Sequence, residues 1–199
     1  MNRLRRLLIA AIALAPLAAR GQPRFVELER ALPVEAADRI EVIEFFWYGC
    51  IHCYNFEPLM ESWLKKVPPD VQVRRVPAVF NERMARDAAI FYAFESLGVA
   101  ARLHRPLFDA IHRGRLRTDQ PHALAEWLQR NGIDAGKFDD MSKSFGVQSR
   151  VRRAAQLSSA YKIDGTPAMA VHGRYAVSSS PDMLRTVEHL IETVRKPKP

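Results

Sequence analysis

Cys50-Ile51-His52-Cys53 holds the only two cysteines of the chain, three positions apart. Two thiols at that spacing can close a disulfide with each other and hand it on, which is the chemistry of thiol–disulfide exchange. The ring closed by such a bond is tiny. Disulfide stabilisation in the chain-entropy picture grows with loop length, so this pair is a poor staple and its use is chemical. The competing reading of C-x-x-C is half of a zinc site, but no second cysteine pair exists and His52 lies too close to both sulfurs to complete a tetrahedral set.

The flanking elements place the pair. Glu41 to Trp47 is nearly continuous apolar and reads as a central buried strand. After Tyr48-Gly49-Cys50 the period changes: Phe56, Leu59, Met60, Trp63, Leu64 and Val67 predict a helix packed on one face, kinked by Pro58. Cys50 therefore falls at a helix N-terminus, where unpaired N–H groups and the dipole favour a thiolate and depress its pKa. Cys53 lies one turn inside and is the more shielded sulfur. His52 adds an imidazole that can donate toward the Cys50 thiolate. Stabilising the reduced form makes the disulfide a stronger oxidant.

Three further positions stand out. Glu44 interrupts the apolar run Val42-Ile43-Glu44-Phe45-Phe46, and an unpaired carboxylate in a covered strand is costly. Six residues before Cys50, it either relays a proton to or from Cys53, or is neutralised by Arg74 or Arg75 of the next strand, or sits exposed at a strand edge. Thr166-Pro167 begins a strand, where proline is tolerated; the ordinary expectation from sequence is a trans bond. Trp47, three residues before Cys50, is placed at the rim of the site. The histidines His104, His112, His122, His172 and His189 are dispersed and read as surface or incidental.

Along the rest of the chain, Arg24 to Glu29 and Val71 to Phe80 read as strands, the latter completing a parallel β–helix–β unit after Pro68-Pro69-Asp70. From Asn81 to Tyr161 helical patterns repeat. One helix carries Met84, Ala88, Phe91, Phe94 and Leu97 to a stop at Gly98; another carries Leu103, Leu107 and Ile111; a third starts at Asp119 and Pro121; a fourth at Asp134; a fifth spans Val147 to Tyr161. A hairpin follows, Ala168 to Val171 and Arg174 to Val177 about His172-Gly173, and Ser180-Pro181 starts a final helix.

The first residues have the form of an export signal: Arg3, Arg5 and Arg6, then 13 apolar-rich residues from Leu7 to Ala19, too short to span a membrane, with a cut expected after Gly21. Removing residues 1–21 takes four arginines and no acid, so the formal charge falls from +8 to +4. Short basic runs such as Arg150, Arg152 and Arg153 lack interleaved aromatics, so no nucleic-acid partner is expected.

On Glu44-Phe45-Phe46-Trp47-Tyr48-Gly49-Cys50-Ile51-His52-Cys53, Gly165-Thr166-Pro167, and a helical segment set between two parts of a sheet, the chain resembles the DsbA-type family of bacterial periplasmic disulfide oxidases. The resemblance implies an α/β, thioredoxin-like fold with an inserted α-helical domain: signal peptide 1–21, a discontinuous thioredoxin-like domain over 22–80 and 163–195, and inserted helices over 81–162. It implies Cys50 as the client-bonded nucleophile, Cys53 as its partner, His52 as thiolate stabiliser, Glu44 as buried acid and Pro167 as a cis-proline facing the disulfide. Thr166, with Trp47 and Ile51 beside it, would contact the client. It further implies no cofactor and no metal, a Gram-negative periplasmic location, reduced exported proteins as clients and a membrane quinone-linked DsbB-like reoxidising protein; the sequence leaves oligomeric state open, with a monomer as the default expectation. Two departures bear on potency: Ile51 stands where many members have proline, and Thr166 where valine is common. The alternatives are a periplasmic reductase or isomerase, a non-redox peptide-binding chaperone, and a metal carrier.

Overall fold

A computed structural model describes residues 25–35 and 38–196; the expected export signal lies outside them. The alternating and continuous apolar stretches form five strands: β1 (Phe25–Glu27), β2 (Ile40–Phe46), β3 (Val71–Pro77), β4 (Ala168–Val171) and β5 (Tyr175–Val177). They make one sheet in the order β1-β5-β4-β2-β3. β2 and β3 are parallel, joined by α1 (Ile51–Leu64), and the other neighbours are antiparallel. Between β3 and β4 the chain makes α2 (Glu82–Ser96), α3 (Ala100–His112), α4 (Pro121–Arg130), α5 (Ala135–Lys143) and α6 (Phe145–Ala160); α7 (Met183–Arg195) closes it. This is the mixed α/β architecture expected.

β2 is buried throughout, so its alternation feeds two cores. Ile43 and Phe45 point into a cluster shared with Phe91, Phe94, Leu103, Phe108 and Leu128 of the helical segment. Ile40 and Val42 point the other way, onto Met60 and Trp63 of α1 and Val187 and Leu190 of α7. The hairpin between β4 and β5 turns on His172 and Gly173, both with positive φ (48° and 69°), as a type I′ turn requires. A side chain at Gly173 would overlap the Leu32 carbonyl, which passes against it.

Several boundaries move. β1 is shorter than Arg24 to Glu29, β3 ends at Pro77 rather than Phe80, and α7 starts at Met183, after a turn over Pro181 and Asp182. Asp119 does not cap α4; its carboxylate is held by Arg117, and Gln120 takes the cap position before Pro121. Asp134 does cap α5, accepting from the Lys137 N–H. α1 continues through Pro58. Met60 and Trp63 of the expected face are buried and Phe56, Leu64 and Val67 pack partly buried against the same core; Leu59 alone is 60% exposed, and the buried stripe also takes in Cys53 and Glu57. With Cys53 turned inward, helical spacing brings Glu57 and Met60 in and leaves Leu59 outside.

Candidate active site

Cys50 is the N-cap residue of α1, with extended φ and ψ of −89° and 116°. Its thiol is half-buried and donates to the Thr166 carbonyl at 3.2 Å. The Thr166–Pro167 peptide is cis, as the resemblance implies and against the ordinary preference. Cys53 is 1% exposed. The two sulfurs are pushed apart in acidity. Cys50 falls to about 5: a hydrogen bond from Cys53 contributes most, burial opposes it, and the Thr166 side chain and the backbone N–H groups of Cys53 and His52 add to the drop. Cys53 is driven far above the thiol range, by burial first and then by its bond to Cys50 and the Cys50 charge. The first-turn amides thus act on Cys50 as its position at a helix start requires.

The remaining expected residues fall around this pair. Ile51 is 47% exposed and His52 is exposed; among the described residues the His52 imidazole makes no hydrogen bond, and its contribution to Cys50 is its backbone N–H. Trp47 packs flat over Gly49, where any side chain would overlap the indole. Its Nε1–H donates to the Asp87 carboxylate of α2 at 2.6 Å, Thr118 donates to the other Asp87 oxygen at 2.6 Å, and Arg83 lies 5.1 Å over the ring. Burial raises the Asp87 pKa against those two bonds.

Glu44 lies in β2, 1% exposed, directly across the ladder from Arg75. Arg75 Nε donates to Glu44 at 2.9 Å, so of the two candidate partners Arg75 is the one taken; Arg74, on the opposite face of β3, pairs with buried Glu41 at 2.9 Å. Burial nevertheless raises Glu44 to about 7, with Arg75 opposing and Glu57 reinforcing the rise. No hydrogen bond among the described residues joins Glu44 to either sulfur.

Two residues of this region were not legible as site residues. Glu57 is buried on α1 and accepts from Arg75 Nη2 at 3.0 Å and from His104 at 3.2 Å. His104 is 5% exposed and also meets the Tyr48 hydroxyl at 3.0 Å, which corrects its reading as a surface residue. His112 is partly buried as well: its Nε2–H donates to the Tyr48 carbonyl at 2.8 Å, and its ring stacks on Tyr54 at 4.9 Å. A charge four residues after Cys53, on the same helix face, was the available signal for Glu57. For His104 there was none, because its partners come from other elements. Among the described residues no group of three or more His, Cys, Asp or Glu is arranged to hold a metal ion.

Comparison with known proteins extends the case beyond this geometry. The profile of the DSBA-like thioredoxin domain matches residues 74–190. The thiol:disulfide interchange protein DsbA of Azotobacter vinelandii is 39% identical over 177 residues, covering 86% of this chain and 83% of that protein. The DsbA of Burkholderia cepacia is 35% identical over all of both chains. The crystal structure of Pseudomonas aeruginosa DsbA superposes with a TM-score of 0.81 at 36% identity, over 87% of this chain and 93% of that one. With likeness in sequence and in fold running over nearly its whole length, the chain belongs to the DsbA-like thioredoxin family of thiol:disulfide oxidoreductases.

Proposed function

We propose that the Cys50–Cys53 disulfide is donated to cysteine pairs of exported proteins during oxidative folding. The observation that carries this reading is the low pKa of Cys50, about 5, beside a Cys53 pushed upward. A client thiolate attacks Cys50 Sγ; the Cys50–Cys53 bond breaks, and Cys53 leaves and takes up a proton. A second client thiolate then attacks the client sulfur of the mixed disulfide and expels Cys50 as a thiolate. The client dithiol loses two electrons and the enzyme disulfide gains them. Cys50 is a good leaving group because its anion is stabilised, which drives the exchange toward client oxidation.

The other residues take roles around these steps. The Thr166 backbone beside cis-Pro167 offers polar groups to an extended client segment, and exposed Ile51, with Trp47 and His52, borders the approach. Glu44, poised near neutrality, is the buried acid that exchanges the proton Cys53 gains and loses. The helices over 81–162 form the insertion in a thioredoxin-like domain over 22–80 and 163–195. The working place is the periplasm of a Gram-negative bacterium, reached through the signal at 1–21, and a membrane quinone-linked DsbB-like protein restores the disulfide to the monomer.

Equilibration with glutathione buffers, followed by tryptophan fluorescence, tests the direction of transfer. Trp47 covers Gly49 beside Cys50 and serves as the reporter. A potential well above that of glutathione, toward roughly −120 mV as in DsbA, is the expected result; a value near about −270 mV, as in thioredoxin, would make the chain a reductase.

A further inference from the structure

Behind the dithiol, five side chains from four elements and the turn before α1 form one hydrogen-bonded line: Glu44–Arg75–Glu57–His104–Tyr48. Its two carboxyls are not equivalent. Glu57 has both oxygens engaged, Oε2 by Arg75 and Oε1 by His104. Glu44 has only Arg75 on Oε2, and its Oε1 is buried without a partner. A buried carboxyl with one orphaned oxygen is the one that keeps a proton, because a neutral acid loses less by desolvation than an anion does.

The histidine sets this difference. Its ring is fixed edge-on by Phe46 (5.0 Å) and Phe108 (5.2 Å). The ionised Glu57 carboxylate can only accept, so the neutral imidazole carries its proton on Nε2 and donates to Glu57, and its Nδ1 accepts from the hydroxyl of Tyr48, which burial keeps protonated. We propose that His104 is a positioning residue that decides which buried carboxyl carries the exchangeable proton: by donating to Glu57 it fixes the anion there and leaves the proton on Glu44. The inference rests on the reading of Glu44 as the proton source.

The charged groups facing the pair fit this assignment. Arg75 of β3 touches both carboxyls, Glu61 of α1 acts on His104, Arg105 of α3 acts on Glu57, and Met169 of β4 opposes Glu44 with no charge. Burial keeps the imidazole neutral, and Glu57 is held low against its burial, chiefly by the His104 bond. Glu57 ionised beside it raises Glu44. A cleft of about 270 Å³ lined by Arg75, His104 and Met60 opens onto the line.

The test is the carboxylic-acid C=O stretch in infrared spectra of the oxidised protein, titrated from about pH 5 to pH 9, where a perturbed carboxyl stands clear of ordinary ones. In the natural chain the band is expected to titrate near 7, to vanish in Glu44→Gln and to survive in Glu57→Gln. In His104→Leu the dependence is expected to reverse, the band surviving an added Glu44→Gln and vanishing with an added Glu57→Gln. His104→Gln, which can both donate and accept, should restore the natural pattern. A His104→Leu protein whose band still belongs to Glu44 with an unmoved midpoint overturns the inference and leaves His104 a packing residue. Should that variant not fold, Tyr48→Phe removes the donor to Nδ1 and must lower the Glu44 midpoint; an unchanged midpoint overturns it equally. A natural-chain band indifferent to Glu44→Gln removes the reading of Glu44 itself, and this inference with it.

Discussion

On the solvent side of the dithiol, Cys50 meets hydrogen-bond donors from the first turn of α1, from Cys53 and from Thr166, and its thiol becomes a far stronger acid than usual. On the core side, Glu44 is fully buried with one arginine in contact and the Glu57 charge nearby, and its carboxyl becomes a weaker acid, near 7. Both groups are ionisable and both lie close to the strand–helix junction. The difference shows which force rules where: at a half-exposed helix end the oriented N–H groups outweigh desolvation, whereas in the closed core desolvation outweighs even a contacting guanidinium.

Removing the solvent-side group breaks that contrast most completely. Cys50→Ser is expected to reduce oxidation of a dithiol peptide to the uncatalysed rate. Cys53→Ser should still attack a disulfide through Cys50 but accumulate as the mixed disulfide, seen by mass spectrometry. On the core side, Arg75→Met strands Glu44 and Glu57 without their cation and should cost about 3–5 kcal/mol in urea unfolding. The loss should shrink toward acid pH, where protonation relieves the carboxyls; a loss that does not change with pH would mean Arg75 acts by packing alone.

Gly49→Ala probes the wall between the two regions. The new methyl must displace Trp47 from its bond to Asp87, at a cost of about 1–3 kcal/mol and with a changed near-ultraviolet dichroism signal.

The smallest effect is the most specific, since it sets the two shifts against each other. Cys50 is lowered from 9.0 to about 5, so its contribution to the reduced protein is complete above pH 9 and fades as pH falls through 5. Glu44 is raised from 4.5 to about 7, so its contribution is complete below pH 4.5 and is lost as pH rises through 7; to the extent that it is common to the two redox forms it drops out of their difference. The stability of the reduced over the oxidised form should therefore grow from about pH 5 to pH 9, reaching on the order of 1–2 kcal/mol near neutrality once solvent screening of the half-exposed thiolate is allowed for. Urea midpoints of the two forms across that range measure it, and a gap that is flat with pH would contradict a low Cys50 pKa.

The legibility of the molecule follows the same division. The β2–α1 junction, the helices of the long middle segment and the hairpin were readable because apolar period and turn residues act over a few positions, and the hairpin at His172-Gly173 fell where expected. The face of α1 was readable in part. Phe56, Met60, Trp63, Leu64 and Val67 pack on the core as their spacing implies, but Leu59 is exposed, and Glu57 goes inside because Arg75 and His104 receive it. Glu44 was readable as anomalous, since a carboxylate in an apolar run has no local explanation, but the choice of Arg75 over Arg74 depends on which face of β3 each occupies.

The sequence by itself determined the candidate dithiol and which sulfur is the more acidic, because Cys50-Ile51-His52-Cys53 at a strand-to-helix change places one sulfur on the first-turn amides. Only the tertiary structure decided what stands behind that pair. Thr166 comes from a position 116 residues away, and Glu44, Arg75, Glu57, His104 and Tyr48 are joined by contacts across the sheet, α1 and α3. A buried polar group is tolerated only where its partners converge in space, and no local pattern records that convergence.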